Sequence, residues 1–385
     1  MRILTYILLL FFYCSCATSE KSKPQEKSHN YISLKSELID SIGITFYDDR
    51  QVLHQNDSTF IIYPEGNNLV FYHFESRTEV KRITFSVPVE NMESFSVASA
   101  NDLAIYYGQA IILYKGGKES IIELGNPPEN LFWRNDIFGF EYFPKHNIVV
   151  LGLSGGKWPG LDNLDYFLRG LCAFNLETKE IVRLPFEFSS IYRTSEYWGA
   201  ELYTSRQGDT LVVSENWSEN VSLIDLNSFE ISQFEVRHPN ESLRTELPEN
   251  LEEYPSVKPQ EGDQKTEKYA LWELRHFNFE KYYKAFLSED GSTIYRFYQH
   301  RRDMKGENIR IASTNTKALS VVKYNIATDN TATFELPTDR FYMTGRFWLK
   351  AYDEFEHIKF VYTKERNPDR AVYLLDQIQL FTSDL

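Results

Sequence analysis

The sequence predicts an all-β protein built as a single β-propeller, and three observations predict it. A short polar turn separates two strand-like runs six times, at Gln55-Asn56-Asp57, Ala100-Asn101-Asp102, Lys145-His146-Asn147, Gln207-Gly208-Asp209, Glu289-Asp290-Gly291 and Glu354-Phe355-Glu356. Successive turns are spaced 45, 44, 62, 82 and 65 residues apart, and the two shortest intervals match one four-stranded blade. Aromatic residues make up 15% of the chain, mostly Phe and Tyr, which favours strands over helices. A unit this small cannot bury its own apolar face. It must stack on copies of itself.

Each turn precedes a β-rich run, namely Thr59–Tyr63, Leu103–Tyr107, Ile148–Leu153, Thr210–Ser214, Thr293–Tyr298 and Ile358–Thr363. A third strand follows, and then a polar hairpin at Tyr72–Arg77, Phe174–Lys179, Ile224–Phe229 and Tyr324–Asp329, with a looser version at Leu113–Lys118. Asn, Asp, Ser and Gly suit these bends because they bond nearby backbone and tolerate left-handed conformations. Fourth strands are expected at Val80–Phe85, Ile181–Phe186, Ile231–Val236 and Ala332–Leu336. The last copy ends in Ala371–Leu380 and lacks a fourth strand, while Tyr31–Ile44 at the other end is left over. Pairing the two closes the ring and covers an open sheet edge. The count is six four-stranded blades, or seven if Tyr269–Tyr283 supplies further strands.

In such a blade the first and third connections share one rim, and the second and inter-blade connections share the other. The first and third are tight here. Long excursions fall at Ser154–Gly170, Gln299–Lys317 and Arg237 to about Lys281, all on one rim. Loops held by a rigid scaffold are where function usually sits, so this loop-rich face is the expected working face.

Residues 1–15 read as a secretion signal, with Arg2 as the positive end and Ile3–Tyr13 as an apolar run too short to span a bilayer. The run ends in Tyr13-Cys14-Ser15-Cys16. A small residue before a cysteine resembles the lipobox of bacterial lipoproteins, which makes Cys16 the expected acylation site; a plain signal peptide is the competing reading. Residues 16–30, rich in Ser, Lys, Glu and Pro, form a disordered tether, and 31–385 form the propeller domain. Acyl chains would hold the protein to a membrane surface without a spanning helix. A net charge of −14 argues against a nucleic-acid partner, which needs a basic surface.

Signals for chemistry are sparse. Ser154-Gly155-Gly156-Lys157-Trp158-Pro159-Gly160 lacks the spacing of a phosphate loop and presents Trp158 instead. Trp133, Trp158, Trp198 and Trp348 fall in working-face loops or at the starts of innermost strands. Their rings could stack on sugars or peptide side chains, or pack between blades. Arg134, Arg301, Arg302, Arg346 and Arg366 lie near them and could grip a carboxylate or phosphate, or pair with surface acids. The candidate ligand-binding set is Trp133, Arg134, Trp158, Trp198, Arg301, Arg346 and Trp348. The eight histidines show no zinc spacing, the acidic residues no calcium-loop pattern, and no Gly-x-Ser-x-Gly elbow occurs, so no metal, cofactor or catalytic residue is assigned. Cys172, inside an apolar strand, reads as a buried inert thiol.

The Ser15-Cys16 lipobox, the short tether and hairpins such as Phe174–Lys179 together resemble a family of Bacteroidota lipoproteins, the domain of unknown function 4221 family, allied to the six-bladed TolB-like propellers. The likeness implies a six-bladed protein of the bacterial cell envelope, with the outer membrane ahead of the inner. It implies no activity, because the family is uncharacterised and a fold does not fix a function. The expected function is a membrane-anchored, non-enzymatic binding or scaffold module for a glycan, peptide or envelope protein. The alternative is a glycan-active lyase or hydrolase with acid/base residues in the central funnel.

Overall fold

The computed structural model describes residues 31–38, 51–55, 58–73, 76, 78–89, 92–127, 131–134, 140–154, 168–189, 201–241, 243, 270–271, 274, 279–301, 319–336, 341–342, 351–352, 357–363 and 373–381. These form six antiparallel sheets. The first holds β2 (Gln51–Gln55), β3 (Ser58–Glu65), β4 (Asn68–His73) and β5 (Thr78–Thr84), and the second β6 (Ser94–Ser99), β7 (Asp102–Tyr107), β8 (Ala110–Lys115) and β9 (Lys118–Glu123). The third joins β10 (Phe132–Arg134) and β11 (Glu141–Phe143) to β12 (Ile148–Ser154), followed by β13 (Leu168–Asn175) and β14 (Ile181–Arg183). The fourth is β15 (Leu202–Gln207), β16 (Thr210–Glu215), β17 (Asn220–Asp225) and β18 (Ile231–Glu235). The fifth is β19 (Lys281–Leu287), β20 (Thr293–Gln299), β21 (Leu319–Asn325) and β22 (Asn330–Glu335). In the sixth, β23 (Phe341–Tyr342) and β24 (Ala351–Tyr352) both pair β25 (His357–Thr363), which pairs β26 (Tyr373–Phe381).

The N-terminal strand β1 (Tyr31–Leu38) supplies the outer strand of that last sheet, in register from Tyr31 opposite Phe381 to Leu38 opposite Leu374. Of the expected Tyr31–Ile44, residues 39–44 lie outside the described residues. Four sheets have the expected four strands. The third and sixth have five instead, because their innermost strand is broken into two pieces that pair the same neighbour. The Tyr269–Tyr283 segment adds no seventh sheet among the described residues: Ala270, Leu271 and Leu274 are helical, and β19 begins only at Lys281.

The core lies between sheets, not within them. On β12, Val149, Leu151 and Leu153 pack toward the second sheet, while Val150 packs toward the fourth. On β13 the same alternation sends Cys172 and Phe174 one way and Leu171 and Ala173 the other. Successive strand side chains point to opposite faces, so a strand buried on both sides reads as an unbroken apolar run. Neighbouring innermost strands touch in chain order, β2 with β6, β6 with β11, β11 with β15 and β15 with β19, and β22 meets β1.

Three of the third connections share one turn. Asn175, Asp225 and Asn325 each accept, through Oδ1, the backbone N–H two residues on, at 2.9, 2.8 and 3.1 Å. The residue four positions on donates its N–H back to the first carbonyl and is left-handed: Lys179 (φ 59°), Phe229 (φ 57°) and Asp329 (φ 56°). The side-chain acceptor at the turn's start matches the expectation from sequence. Lys and Phe in the left-handed position do not, since backbone closure dictates that conformation whatever the side chain.

Between the fourth and fifth sheets sits Arg296, fully buried on β20. Its Nε donates to Ser214 Oγ (2.9 Å), Nη1 to Val236 O (3.2 Å), and Nη2 to Glu215 O and Ser218 O (both 2.7 Å). The guanidinium carbon lies 3.8 Å from the centroid of the Tyr282 ring. One side chain thereby ties the end of β16, the β16–β17 turn and the end of β18 to the fifth sheet.

Two changes test this account of stability. Arg296→Met would strip three buried carbonyls of a charged donor, at about 1–3 kcal/mol for each left unsatisfied. The thermal midpoint should fall by more than about 6 °C, and a fall of less than about 2 °C would remove Arg296 from this role. Lys179→Gly should instead stabilise by about 0.5–1 kcal/mol, because glycine adopts the left-handed turn position without strain; chemical denaturation measures it, and a loss of stability would contradict the turn reading.

Candidate functional site

Polar side chains gather where the innermost strands face one another. Glu141 on β11 receives Ser96 Oγ of β6 at 3.2 Å and Thr204 Oγ1 of β15 at 3.4 Å, and its Oε1 lies 3.8 Å from Lys284 Nζ on β19. Four consecutive innermost strands thus meet at one carboxylate. Burial holds the Lys284 amine below its usual range, opposed by the Glu141 charge.

A second group lies closer to the rim with the long connections. Lys281, at the start of β19 and 1% exposed, has Nζ 3.4 Å from Glu201 Oε2 and 4.9 Å from the Tyr283 ring centroid. Tyr203 donates its hydroxyl to the same Glu201 oxygen. Tyr283 donates to Gln299 Oε1 at 2.6 Å, and Gln299 Nε2 to Phe279 O at 2.9 Å. Burial lowers the Lys281 pKa, with Glu201 opposing. Glu215, at the end of β16, accepts the Ser189 N–H at 3.1 Å, yet burial pushes its carboxyl up to about 7 against that hydrogen bond and the Arg296 charge.

On the rim itself, His238 and Glu241 open the β18–β19 connection and His300 follows β20. His300 Nδ1 lies 2.8 Å from Glu241 Oε1, and its Nε2 lies 2.5 Å from Ser320 Oγ. Tyr298 donates its hydroxyl to Glu241 Oε2 at 3.1 Å, and the His238 backbone N–H donates to Tyr282 Oη at 2.9 Å. The His238 ring stacks on Tyr298 at 4.8 Å and meets His300 edge-on at 5.3 Å. Burial lowers the His238 pKa, with the Glu241 charge opposing.

The residues nominated from sequence fare differently. Trp133 lies on β10, donates Nε1–H to Gly125 O at 2.9 Å and packs against the core between the second and third sheets, which is the packing use of that ring. Arg134 pairs with Gly152 along β10, and its side chain lies outside the described residues. Arg301, just past β20 of the fifth sheet, holds its guanidinium 5.1 Å from the Phe279 ring centroid. Cys16, Trp158, Trp198, Arg346 and Trp348 lie outside the described residues. Cys172 is fully buried, with its thiol pushed up to about 12 by burial.

No family model matches the chain, and no curated protein matches it. A crystal structure of a member of the domain of unknown function 4221 family from Bacteroides vulgatus superposes with a TM-score of 0.65 and 12% identity, covering 93% of this chain and 100% of that one. The fold is a single β-propeller. Looser overlays are found with the extracellular domain of a putative one-component system from B. thetaiotaomicron (TM-score 0.43, 9% identity, 86% of this chain and 34% of that one). Another is found with virginiamycin B lyase from Staphylococcus aureus (0.43, 9%, 91% and 100%). Neither adds to that assignment.

The buried Glu215 makes the propeller's stability depend on pH. Its folded pKa exceeds the ordinary 4.5, so the folded state holds the proton more tightly. That contribution is complete below about pH 4.5 and is lost as pH rises through about 7, on the order of 3 kcal/mol in all. Urea denaturation across this window should show wild type losing stability relative to Glu215→Gln, whereas parallel curves would reject the assignment.

Proposed function

We infer that the chain is a lipid-anchored envelope protein of the domain of unknown function 4221 family, acylated at Cys16. In this reading its six sheets are the blades of one ring, and it binds a glycan, peptide or envelope protein on one rim. The observation that carries this is the one-sidedness of the connections. The connections spanning 155–167, 236–280 and 300–318 each begin and end at strand ends on the rim where second and inter-blade connections meet, while between the described strands no connection on the opposite rim exceeds five residues. Lengthening a loop costs little entropy, so a scaffold tolerates it on either rim, and confinement to one marks that rim as the one put to use. The Arg301 guanidinium, held over Phe279 at this rim, supplies a cation for an anionic group on the ligand.

Glycan-active catalysis is supported by a different observation, the Glu141 carboxylate 3.8 Å from an amine of lowered pKa at the meeting point of four innermost strands. Binding accounts better for the whole, because Glu141 already receives two hydroxyls and an ammonium and is held as part of the scaffold.

Full-length protein and a Cys16→Ser variant should separate on fractionation, the first with membranes and the second soluble or unprocessed. In a binding screen against envelope glycans and peptides, Trp158→Ala combined with Arg301→Ala should weaken capture at least about tenfold. Retained capture would move the binding surface elsewhere. Glycan turnover that disappears in Glu141→Gln would establish the enzymatic reading instead.

A further inference from the structure

The geometry points to a divalent transition-metal site of the zinc class formed by His238, Glu241 and His300, a site that stands independently of what the rim binds. One donor atom from each residue lies within 4.8 Å of the other two. Tetrahedral zinc at about 2.0–2.2 Å from each ligand would draw such donors to about 3.3 Å apart. The more widely spaced donors would close up to reach that separation, while the His300–Glu241 pair, at 2.8 Å, would open slightly.

A second, independent observation points the same way. His238 is only 6% exposed, and its buried Nδ1 has no hydrogen-bond partner among the described residues. A buried imidazole nitrogen left without a partner is a standing cost, and metal coordination is one way the ring's bonding capacity is used. The surrounding contacts also have the form of an outer shell. Ser320 Oγ engages His300 Nε2, which leaves Nδ1, the atom facing Glu241, as the donor to a metal. The Tyr298 hydroxyl holds the second Glu241 oxygen, and the Tyr282 hydroxyl fixes the His238 backbone. Outer partners of this kind set ring orientation and tautomer.

Two imidazoles with one carboxylate suit zinc and its first-row neighbours and disfavour calcium and magnesium, which require oxygen ligands. Three protein donors leave one tetrahedral position for water or an anionic group. That position would lie on the same rim as the long connections.

The test uses the full-length protein, stripped with a chelator and titrated with Zn2+ by calorimetry and with Co2+ by visible absorption. One equivalent should bind, Co2+ should give the intense d–d bands of tetrahedral coordination, and Zn2+ should raise the thermal midpoint. His300→Ala and Glu241→Gln should each abolish the bands and the midpoint shift. Tyr298→Phe keeps the packed ring and removes only the outer-shell hydroxyl; it should fold as wild type and weaken affinity about tenfold or more. Absence of saturable binding to wild type would overturn the site and leave the three residues as a metal-free hydrogen-bond network. So would binding that persists unchanged in His300→Ala, Glu241→Gln and Tyr298→Phe.

Discussion

The junction of the fourth and fifth sheets depends on the buried guanidinium of Arg296. A charge taken out of water is tolerated only when fixed dipoles replace its hydration shell. Three carbonyls, a hydroxyl and the face of Tyr282 do so here. Each partner must stay where it is, which fixes the fourth sheet against the fifth. The consequence reaches the rim. Val236 O accepts from Arg296, and two residues later the His238 N–H donates to the hydroxyl of the Tyr282 ring that carries the guanidinium. The longest connection in the chain thus leaves its sheet from a position set by the core.

Most of the scaffold was legible because it rests on local chemistry. The runs Leu103–Tyr107 and Thr210–Ser214 fall within one residue of β7 and β16 at each end, since a polar turn and a β-rich run are both short-range signals. Pairing of Tyr31–Leu38 with the C-terminal strand was legible by elimination, as one sheet lacked a strand and one strand lacked a sheet. The broken innermost strands β10/β11 and β23/β24 were not, because a break inside one sheet looks in sequence like a longer inter-sheet connection. Left-handed Lys179 and Phe229 were missed for a related reason: the turn's ring closure, not residue preference, decides their conformation.

The candidate sites were harder to read, and the cause is distance. His238 and His300 stand 62 residues apart, so a test of ligand spacing along the chain cannot join them. A signal did exist. Lys281, Lys284 and Arg296 interrupt strands that are otherwise apolar and buried, and a charge in such a run must find partners or raise the energy of the fold. Replacing a buried ion pair by apolar residues of similar volume is often neutral or stabilising, so Lys281–Glu201 and Lys284–Glu141 earn no place by stability alone. Trp133 makes the opposite point. An aromatic ring near a loop was nominated for binding, and it packs, partly buried, against the core between two sheets.

The rim cluster forms where the end of β20 meets the start of the β18–β19 connection. Tyr298 lies near the end of β20 and His300 just past it, two residues on, and their rings meet edge-on at 5.2 Å. Tyr298 does two things from that position: its ring stacks on His238, and its hydroxyl holds Glu241. His300 then meets both His238 edge-on and the other oxygen of the Glu241 carboxylate. The spacing of His238 and Glu241 matters only because the connection is pinned at its first residues by Tyr282 and, through Val236, by Arg296. An aromatic strand end and an anchored loop start therefore converge on one carboxylate.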